Sequence, residues 1–181
     1  DTGVLTVSDN DIHDNATGVY AYSGPTTVSG NRIHDNTTGI MGSGTFGGTD
    51  WSAGQPNDIY ANTTGISSWG GNTIAHNRLH GNSVGIKADN SDTVRNNVIY
   101  RNTGQGILVD SGHGVAVENN TIYTPSGDGV RIVNSSRDVG LLNNIIWTDD
   151  GYDIYVATDS QPGFTSDYNN LYTAAPGPGK L

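Results

Sequence analysis

The feature that most constrains this chain is a short pattern, an Asn followed two residues later by an aliphatic residue, which recurs along almost its whole length. Successive copies are separated by 21, 26, 20, 20, 23, 24 and 25 residues. The copies are Asn10-Ile12, Asn31-Ile33, Asn57-Ile59, Asn77-Leu79, Asn97-Ile99, Asn120-Ile122, Asn144-Ile146 and Asn169-Leu171. A period of this length is typical of solenoids, in which each repeat buries its apolar face only against its neighbours.

Each repeat contains three short segments in which apolar residues alternate with polar ones, as in "NRIH", "GIMGS" and "TTVS". Glycine and β-branched residues recur in every repeat, and no repeat has the apolar stripe of a helix. The sequence therefore predicts an all-β parallel solenoid of about eight coils of 20–26 residues, with three short strands per coil stacked about 4.8 Å apart. Residues 1–173 are predicted to form the solenoid, and residues 174–181 a Pro- and Gly-rich tail or linker.

Composition limits the partners of such a chain. It has 18 acidic and 8 basic residues, a formal net charge of −10, so it repels nucleic acid phosphates and anionic lipid surfaces. It has no cysteine, and no apolar run approaches the roughly 20 residues that span a bilayer. We therefore expect neither nucleic acid binding nor membrane insertion, and a fold held by burial alone.

The repeat unit "xVxxNxIxxNxxGIxxxxS" resembles the right-handed parallel β-helix repeat of the pectate-lyase-like superfamily, and the resemblance covers nearly the whole chain. It implies a right-handed parallel β-helix. The superfamily includes lyases, glycosidases, uronate epimerases, phage tailspikes, copper-maturation proteins and surface repeat proteins, so the resemblance does not select an activity.

Two kinds of side chain repeat at fixed positions. A ring follows each anchoring aliphatic residue, at His13, His34, Tyr60, His80, Tyr100, Tyr123, Trp147 and Tyr172. Because no carboxylate recurs beside this column, we interpret His34 as one member of a ring stack rather than a metal ligand or catalyst. The anchoring asparagines are predicted to form an amide ladder, and a second row is predicted at turns that tolerate positive φ. That row is Asn15, Asn36, Asn62, Asn82 and Asn102.

Candidate functional residues lie on the strand that begins "GI" or "GV", because its outward positions differ from coil to coil. Two outward columns are expected. The first is Tyr20, Met41, Ser67, Lys87, Leu108, Arg131 and Tyr155. The second, two residues further along each strand, is Tyr22, Ser43, Trp69, Asp89, Asp110, Val133 and Ala157. We expect Lys87, Asp89, Asp110 and Arg131 to form one charged cluster that would carry any catalysis. Tyr20, Tyr22, Trp69 and Tyr155 are predicted sugar platforms.

The spacing predicts carboxylates of Asp89 and Asp110 about 5 Å apart on adjacent coils. Their repulsion would raise one pKa, giving an acid and base pair, or would be relieved by a cation, for which calcium is suited. By the resemblance, Lys87 or Arg131 would be the base or the clamp on a uronate carboxylate. The alternative is an exposed face with ordinary diagonal ion pairs. No metal site is predicted, and "TDDGYD" (148–153) is interpreted as an acidic turn.

These observations favour a structural or adhesive module of a larger secreted or cell-surface protein. Its partners would be polysaccharide, bound along the exposed strand face, or neighbouring coils of a longer chain. The alternative is an enzyme acting on polysaccharide, a uronate lyase, epimerase or glycosidase that uses the charged cluster. The long coil after Asn31 adds a Gly-rich segment (44–56). Either its Phe46 and Trp51 overhang a groove near Trp69 and contact a ligand, or the segment is a tolerated insertion on the flank of the solenoid.

Overall fold

The computed structural model describes residues 5–22, 25–51 and 55–174, which wind into a solenoid built from three parallel sheets. Sheet A contains β1 (Leu5–Ser8), β4 (Thr26–Ser29), β7 (Thr45–Phe46), β10 (Thr73–Ala75), β13 (Thr93–Arg95), β16 (Ala116–Glu118), β19 (Gly140–Leu142) and β22 (Thr165–Asp167). Sheet B contains β2 (Asp11–His13), β5 (Arg32–His34), β8 (Asp58–Tyr60), β11 (Arg78–His80), β14 (Val98–Tyr100), β17 (Thr121–Thr124), β20 (Ile145–Thr148) and β23 (Asn170–Thr173). Sheet C contains β3 (Thr17–Ala21), β6 (Thr38–Gly42), β9 (Thr64–Ser68), β12 (Val84–Ala88), β15 (Gln105–Asp110), β18 (Asp128–Val133) and β21 (Ile154–Val156).

Every strand pairs with the equivalent strand of the neighbouring coils, on both sides except at the two ends of each sheet. In sheet B, for example, Ile33 pairs with Ile12 on one side and Ile59 on the other. The predicted all-β parallel solenoid with three strands per coil is confirmed. Within the described residues the eighth coil has only its sheet A and sheet B strands, so the rod has about seven complete turns rather than eight.

The core is a column of fully buried aliphatic side chains from all three sheets, such as Ile33, Ile66 and Val94. Phe46 joins this column because β7 occupies the sheet A position of the long coil. The prediction that Phe46 and Trp51 overhang Trp69 is therefore wrong. Trp51 instead packs edge-on against His76, with ring centroids 5.8 Å apart, at the bend between sheets A and B.

Both predicted asparagine ladders are present. In the first, the Nδ2 group of each anchoring Asn donates to the Oδ1 atom of the next, at 2.8–3.1 Å from Asn10 through to Asn169. In the second, the same bond links Asn15 stepwise to Asn102 at 3.0–3.2 Å. The ladders satisfy amide groups that would otherwise be buried without partners.

The second row of asparagines was predicted to sit at positions of positive φ, and this is wrong. Positive φ occurs one residue earlier, at Asp14 (58°), Asp35 (54°) and Ala61 (55°). Asn15, Asn36 and Asn62 instead donate to the carbonyl two residues before them, as Asn36 Nδ2 does to His34 O at 2.8 Å. The side chain, rather than the backbone, closes the turn.

The glycines that open the sheet C strands are required by close stacking. A Cβ atom at each would lie 2.5–2.7 Å from a backbone carbonyl of the next coil, which is closer than contact allows. These glycines are Gly18, Gly39, Gly65, Gly85, Gly106 and Gly129. The glycines of the recurrent "GI" and "GV" pairs are therefore needed because neighbouring coils leave no room for a Cβ atom there.

The only helix of the described residues is a single 3-10 turn, Thr158–Ser160. Accordingly, that part of the chain contains no helix of the length and apolarity needed to cross a bilayer. The predicted tail lies outside the described residues except for Ala174, whose backbone N–H donates to the Thr148 carbonyl at 2.9 Å.

Candidate functional site

The outer face of sheet C has the predicted arrangement of side chains. Tyr20 pairs with Met41, Met41 with Ser67, and Ser67 with Lys87. Lys87 in turn pairs with Leu108, and the column continues through Arg131 to Tyr155. Because a slip of one residue would turn every side chain to the opposite face, the alternation of apolar and polar residues is sufficient to determine this column.

Three of the four predicted platform residues form one aromatic cluster, Tyr20, Tyr22 and Trp69, which we call the aromatic trio. The two tyrosine rings stack with centroids 5.9 Å apart. The Trp69 ring meets them edge-on, at 5.5 Å from Tyr20 and 5.9 Å from Tyr22. All three remain exposed, by 54%, 70% and 41% respectively. The trio therefore forms an exposed aromatic surface on the outer side of sheet C.

The fourth platform residue, Tyr155, is part of a different arrangement. The Arg131 guanidinium lies over its ring at 4.2 Å from the centroid, and Tyr152 contacts it at 5.5 Å. Arg131 also donates from Nη1 to the Oδ2 atom of buried Asp128 at 2.7 Å. Arg131 is thus paired with Asp128 and Tyr155 rather than with Asp89 or Asp110.

Lys87 and Asp110 form an ion pair, with Nζ and Oδ2 3.1 Å apart. Exposed Asn134 donates from Nδ2 to Oδ1 of Asp110 at 2.7 Å. These two contacts, led by the Asn134 hydrogen bond, lower the pKa of the Asp110 carboxyl below its ordinary value. The expected increase of a pKa by repulsion between Asp89 and Asp110 is therefore not found at Asp110.

Asp89 lies beyond the end of β12, in a tight turn. Its carboxylate accepts from the Asn90 backbone N–H at 2.8 Å, and its own N–H donates to Oδ2 of Asp92 at 2.7 Å. Asp92 is fully buried, and burial raises the pKa of its carboxyl. Of the four charged candidates, Lys87 and Asp110 thus pair with each other, Arg131 pairs with Asp128, and Asp89 lies in the turn.

Sequence reasoning missed the partners that organise these charges, Asp128 and Asn134. Asp128 occupies the sheet C position that holds Thr38, Thr64 and Gln105 in other coils. The sequence did contain a signal for the Asp128–Arg131 pair. Asp128 is an acidic residue three positions before Arg131, at a repeat position that other coils fill with neutral residues. Asn134 lies in a turn, and no repeat position predicts its direction.

The ring column of sheet B is a stack over its first five members. Ring centroids lie 4.7–5.1 Å apart, with interplanar angles of 7–16°, from His13 to Tyr100. The predicted stacking of His13 on His34 is confirmed. Beyond it the rings turn, and Trp147 meets Tyr123 and Tyr172 edge-on.

Carboxylates do recur beside the histidines of this stack, contrary to the sequence-based expectation. The Nε2 atom of His34 lies 2.9 Å from Oδ1 of Asp11, and that of His80 lies 3.2 Å from Oδ1 of Asp58. Both carboxylates come from the preceding coil, two residues before the ring residue of that coil. Carboxylates adjacent in sequence also contact the histidines, since Nδ1 of His34 lies 2.7 Å from Oδ2 of Asp35.

The acidic turn 148–153 is also internally bonded. Asp149 accepts from the Tyr123 hydroxyl at 2.6 Å and from the Trp147 indole at 3.1 Å. Asp153 is buried and accepts from the Thr148 hydroxyl at 2.9 Å. Among the described residues, no group of three or more His, Asp or Glu side chains is placed to hold a metal ion.

A separate groove of about 380 Å³ lies on sheet A in the last three coils. Its floor includes Ala116 and Gly140, where small side chains leave space, and its walls carry Glu118, Asp138 and Asp167. This acidic groove shares no lining residue with the aromatic trio or the charged residues of sheet C.

Comparison with known proteins places the fold. A family model described as "Right handed beta helix region" matches residues 54–171. No curated protein sequence matches the chain. The A-modules of two Azotobacter vinelandii mannuronan C-5 epimerases are similar in structure. The AlgE6 A-module is 15% identical to this chain with a TM-score of 0.66, and the match covers 96% of this chain and 57% of the AlgE6 chain. AlgE4 has 16% identity and a TM-score of 0.60 over 96% and 64%.

The periplasmic alginate epimerase AlgG is also similar, with 21% identity and a TM-score of 0.68 over 94% of this chain and 50% of that one. The chain thus spans between half and two thirds of the length of these solved structures. At such identities the likeness establishes a shared fold and no shared activity.

Proposed function

Because the chain belongs to the right-handed β-helix family, we propose that it is a polysaccharide-binding module of a larger protein that acts outside the cytoplasm. The observation that carries this proposal is the aromatic trio. Exposed rings from two non-adjacent coils, held within 6 Å of each other, are suited to the apolar faces of sugar rings. The fold shared with three alginate epimerases supports a polysaccharide as the ligand class.

The internal pairing of the charged residues supports binding over catalysis. A general acid or base must reach its substrate with its reacting atom available. Lys87 and Asp110 engage each other, and Arg131 engages Asp128 and Tyr155. A side chain held by such contacts loses less freedom when a ligand binds, which favours a binding surface.

The test is binding of purified protein to a panel of soluble polysaccharides by isothermal titration calorimetry. We expect Trp69→Ala to weaken binding by about tenfold or more, equivalent to about 1.4 kcal/mol. The matched control is Trp147→Ala, since Trp147 is similarly exposed, at 48%, but lies on sheet B. Equal affinities of the two variants would contradict the proposal.

The second candidate is a polysaccharide-active enzyme, and the three epimerase structures are the observation in its favour. In this hypothesis Lys87 or Arg131 is the base or the carboxylate clamp, and calcium held by substrate carboxylates and Asp89 would balance charge. Incubation with polymannuronate and polygalacturonate, with and without calcium, tests it. Ultraviolet absorbance reports elimination, reducing ends report hydrolysis, and proton NMR reports epimerisation; activity lost in Lys87→Ala would favour the enzyme.

A further inference from the structure

We infer that the ligand of the sheet C face is a neutral glycan rather than a polyuronate. This inference rests on the proposed function and names the ligand class of the same site. It runs against the simplest expectation from the epimerase likeness, which is an anionic polymer. The charges of the face that are available to a ligand distinguish the two ligand classes.

A polyuronate brings one carboxylate per sugar, and each needs a cation or a donor when it leaves water. The basic side chains among the outward residues of sheet C are Lys87 and Arg131. Both are already neutralised, Lys87 by Asp110 at 3.1 Å and Arg131 by buried Asp128 at 2.7 Å. The Arg131 guanidinium is further covered by the Tyr155 ring.

The other basic residues that the structure describes lie outside the sheet C strands: Arg32 and Arg78 are in sheet B, Arg95 is in sheet A, and Arg101 and Arg137 are in turns. Arg101 is in the turn that precedes β15, and Arg137 is in the turn that follows β18. Arg137 donates from Nε to the His113 ring at 3.1 Å. The protein as a whole carries a net charge of −10, which disfavours the approach of a polyanion.

The groups that remain available on the face suit hydroxyl groups and apolar sugar faces. Exposed Asn134 presents its amide group beside the ion pair, and Ser67 lies between the ion pair and the trio in the same column. The trio itself binds through ring faces and edges and gains nothing from ligand charge. A neutral glycan can contact both regions without leaving a buried charge unpaired.

The experiment measures the affinity of the wild-type chain for a soluble neutral glucan, a neutral galactomannan, polymannuronate and polygalacturonate, at low and high salt. We expect a neutral polymer to bind with an affinity that salt does not change. We expect each uronate polymer to bind at least about tenfold more weakly, a difference of about 1.4 kcal/mol.

A charge variant sharpens the test, because it creates the free cation that the native face lacks. Asp110→Asn leaves Lys87 without its carboxylate partner. We expect uronate affinity to rise by up to about fivefold at low salt, and the gain to disappear at high salt, as for an exposed ion pair. Asp58→Asn is the matched control: it removes the same charge and frees His80, but on sheet B.

The outcomes separate the inference from the proposed function. Uronate binding as tight as neutral binding in the wild type, or uronate binding that requires calcium, overturns the inference while Trp69→Ala still reports on the proposed function. Binding of no polymer in either class, or binding insensitive to Trp69→Ala, overturns the proposed function itself. An equal gain in Asp110→Asn and Asp58→Asn overturns the role given to Lys87.

Discussion

Replacement of Asn77 by Ala tests how far the asparagine ladder stabilises the rod. The Asn77 side chain is fully buried and takes part in four hydrogen bonds. Its Oδ1 accepts from Asn57 at 2.8 Å, and its Nδ2 donates to Asn97 at 3.0 Å, to the Phe46 carbonyl at 2.8 Å and to the Ala75 carbonyl at 3.2 Å. Alanine abolishes all four bonds and offers no replacement.

The size of the stability loss depends on how many bonds disappear and on which of the former partners keep another bond. Asn57 Nδ2 keeps its bond to the Val28 carbonyl, and Asn97 Oδ1 still accepts from the Asn77 backbone N–H at 3.0 Å. The loss is therefore the four bonds made by the Asn77 side chain. At roughly 1 kcal/mol for each bond, we expect the free energy of unfolding to fall by about 3–5 kcal/mol.

Equilibrium urea unfolding followed by circular dichroism measures this loss, with the m-value as a check on cooperativity. Asn10→Ala is the matched control, because Asn10 begins the same ladder but is exposed and donates only to Ser8 and Asn31. We expect it to cost about 1 kcal/mol or less. If the two variants lose equal stability, buried amide pairing is not what the ladder contributes.

Two further predictions concern close stacking and charge. Gly106→Ala places a Cβ atom 2.6 Å from the Gly129 carbonyl, so we expect the free energy of unfolding measured in urea to fall by about 1–3 kcal/mol. In the control Gly140→Ala the nearest neighbour of the new Cβ atom lies at 3.4 Å, so we expect stability to change by less than about 0.5 kcal/mol. The hydrogen bond to the Asp14 carboxylate raises the pKa of His13 above its ordinary value, so NMR titration should show that pKa falling in Asp14→Asn. Because the folded pKa is the higher one, the stabilisation by His13 is present below about pH 6.5 and is lost as pH rises through the folded value; an unchanged His13 titration in Asp14→Asn would contradict this.

The fold was predictable because its constraints are periodic. Alternation along each strand fixes which side chains face inward, and the repeat spacing fixes which residues of successive coils touch. The pairing of Tyr20 with Met41 and the stacking of His13 on His34 both follow from these two rules alone. The glycines were visible as a pattern, but their cause, contact with the carbonyl of the next coil, requires coordinates.

The interruptions of the repeat were not predictable in the same way. Residues 44–56 of the long coil were predicted to be an added segment, whereas a two-residue strand within them places Phe46 in the core. An aromatic residue among glycines resembles a binding loop, and only the missing sheet A strand of that coil indicates otherwise. A repeat that lacks one of its expected strands should therefore be searched for a minimal substitute before its extra residues are assigned to a loop.

The charges of sheet C show a further limit, which bears on function. Register brings Lys87, Asp110 and Arg131 to one face, but register does not specify which long side chain turns toward which neighbour. That choice depends on residues outside the repeat pattern, Asp128 and Asn134, which draw Arg131 and Asp110 into separate contacts. Because Lys87 Nζ is paired with Asp110, a role as general base requires this ion pair to rearrange, whereas a binding role leaves it intact. The aromatic trio needs no such rearrangement, because its rings are exposed as they stand. For this reason we propose that the sheet C face, as it is arranged, binds a ligand rather than catalyses a reaction.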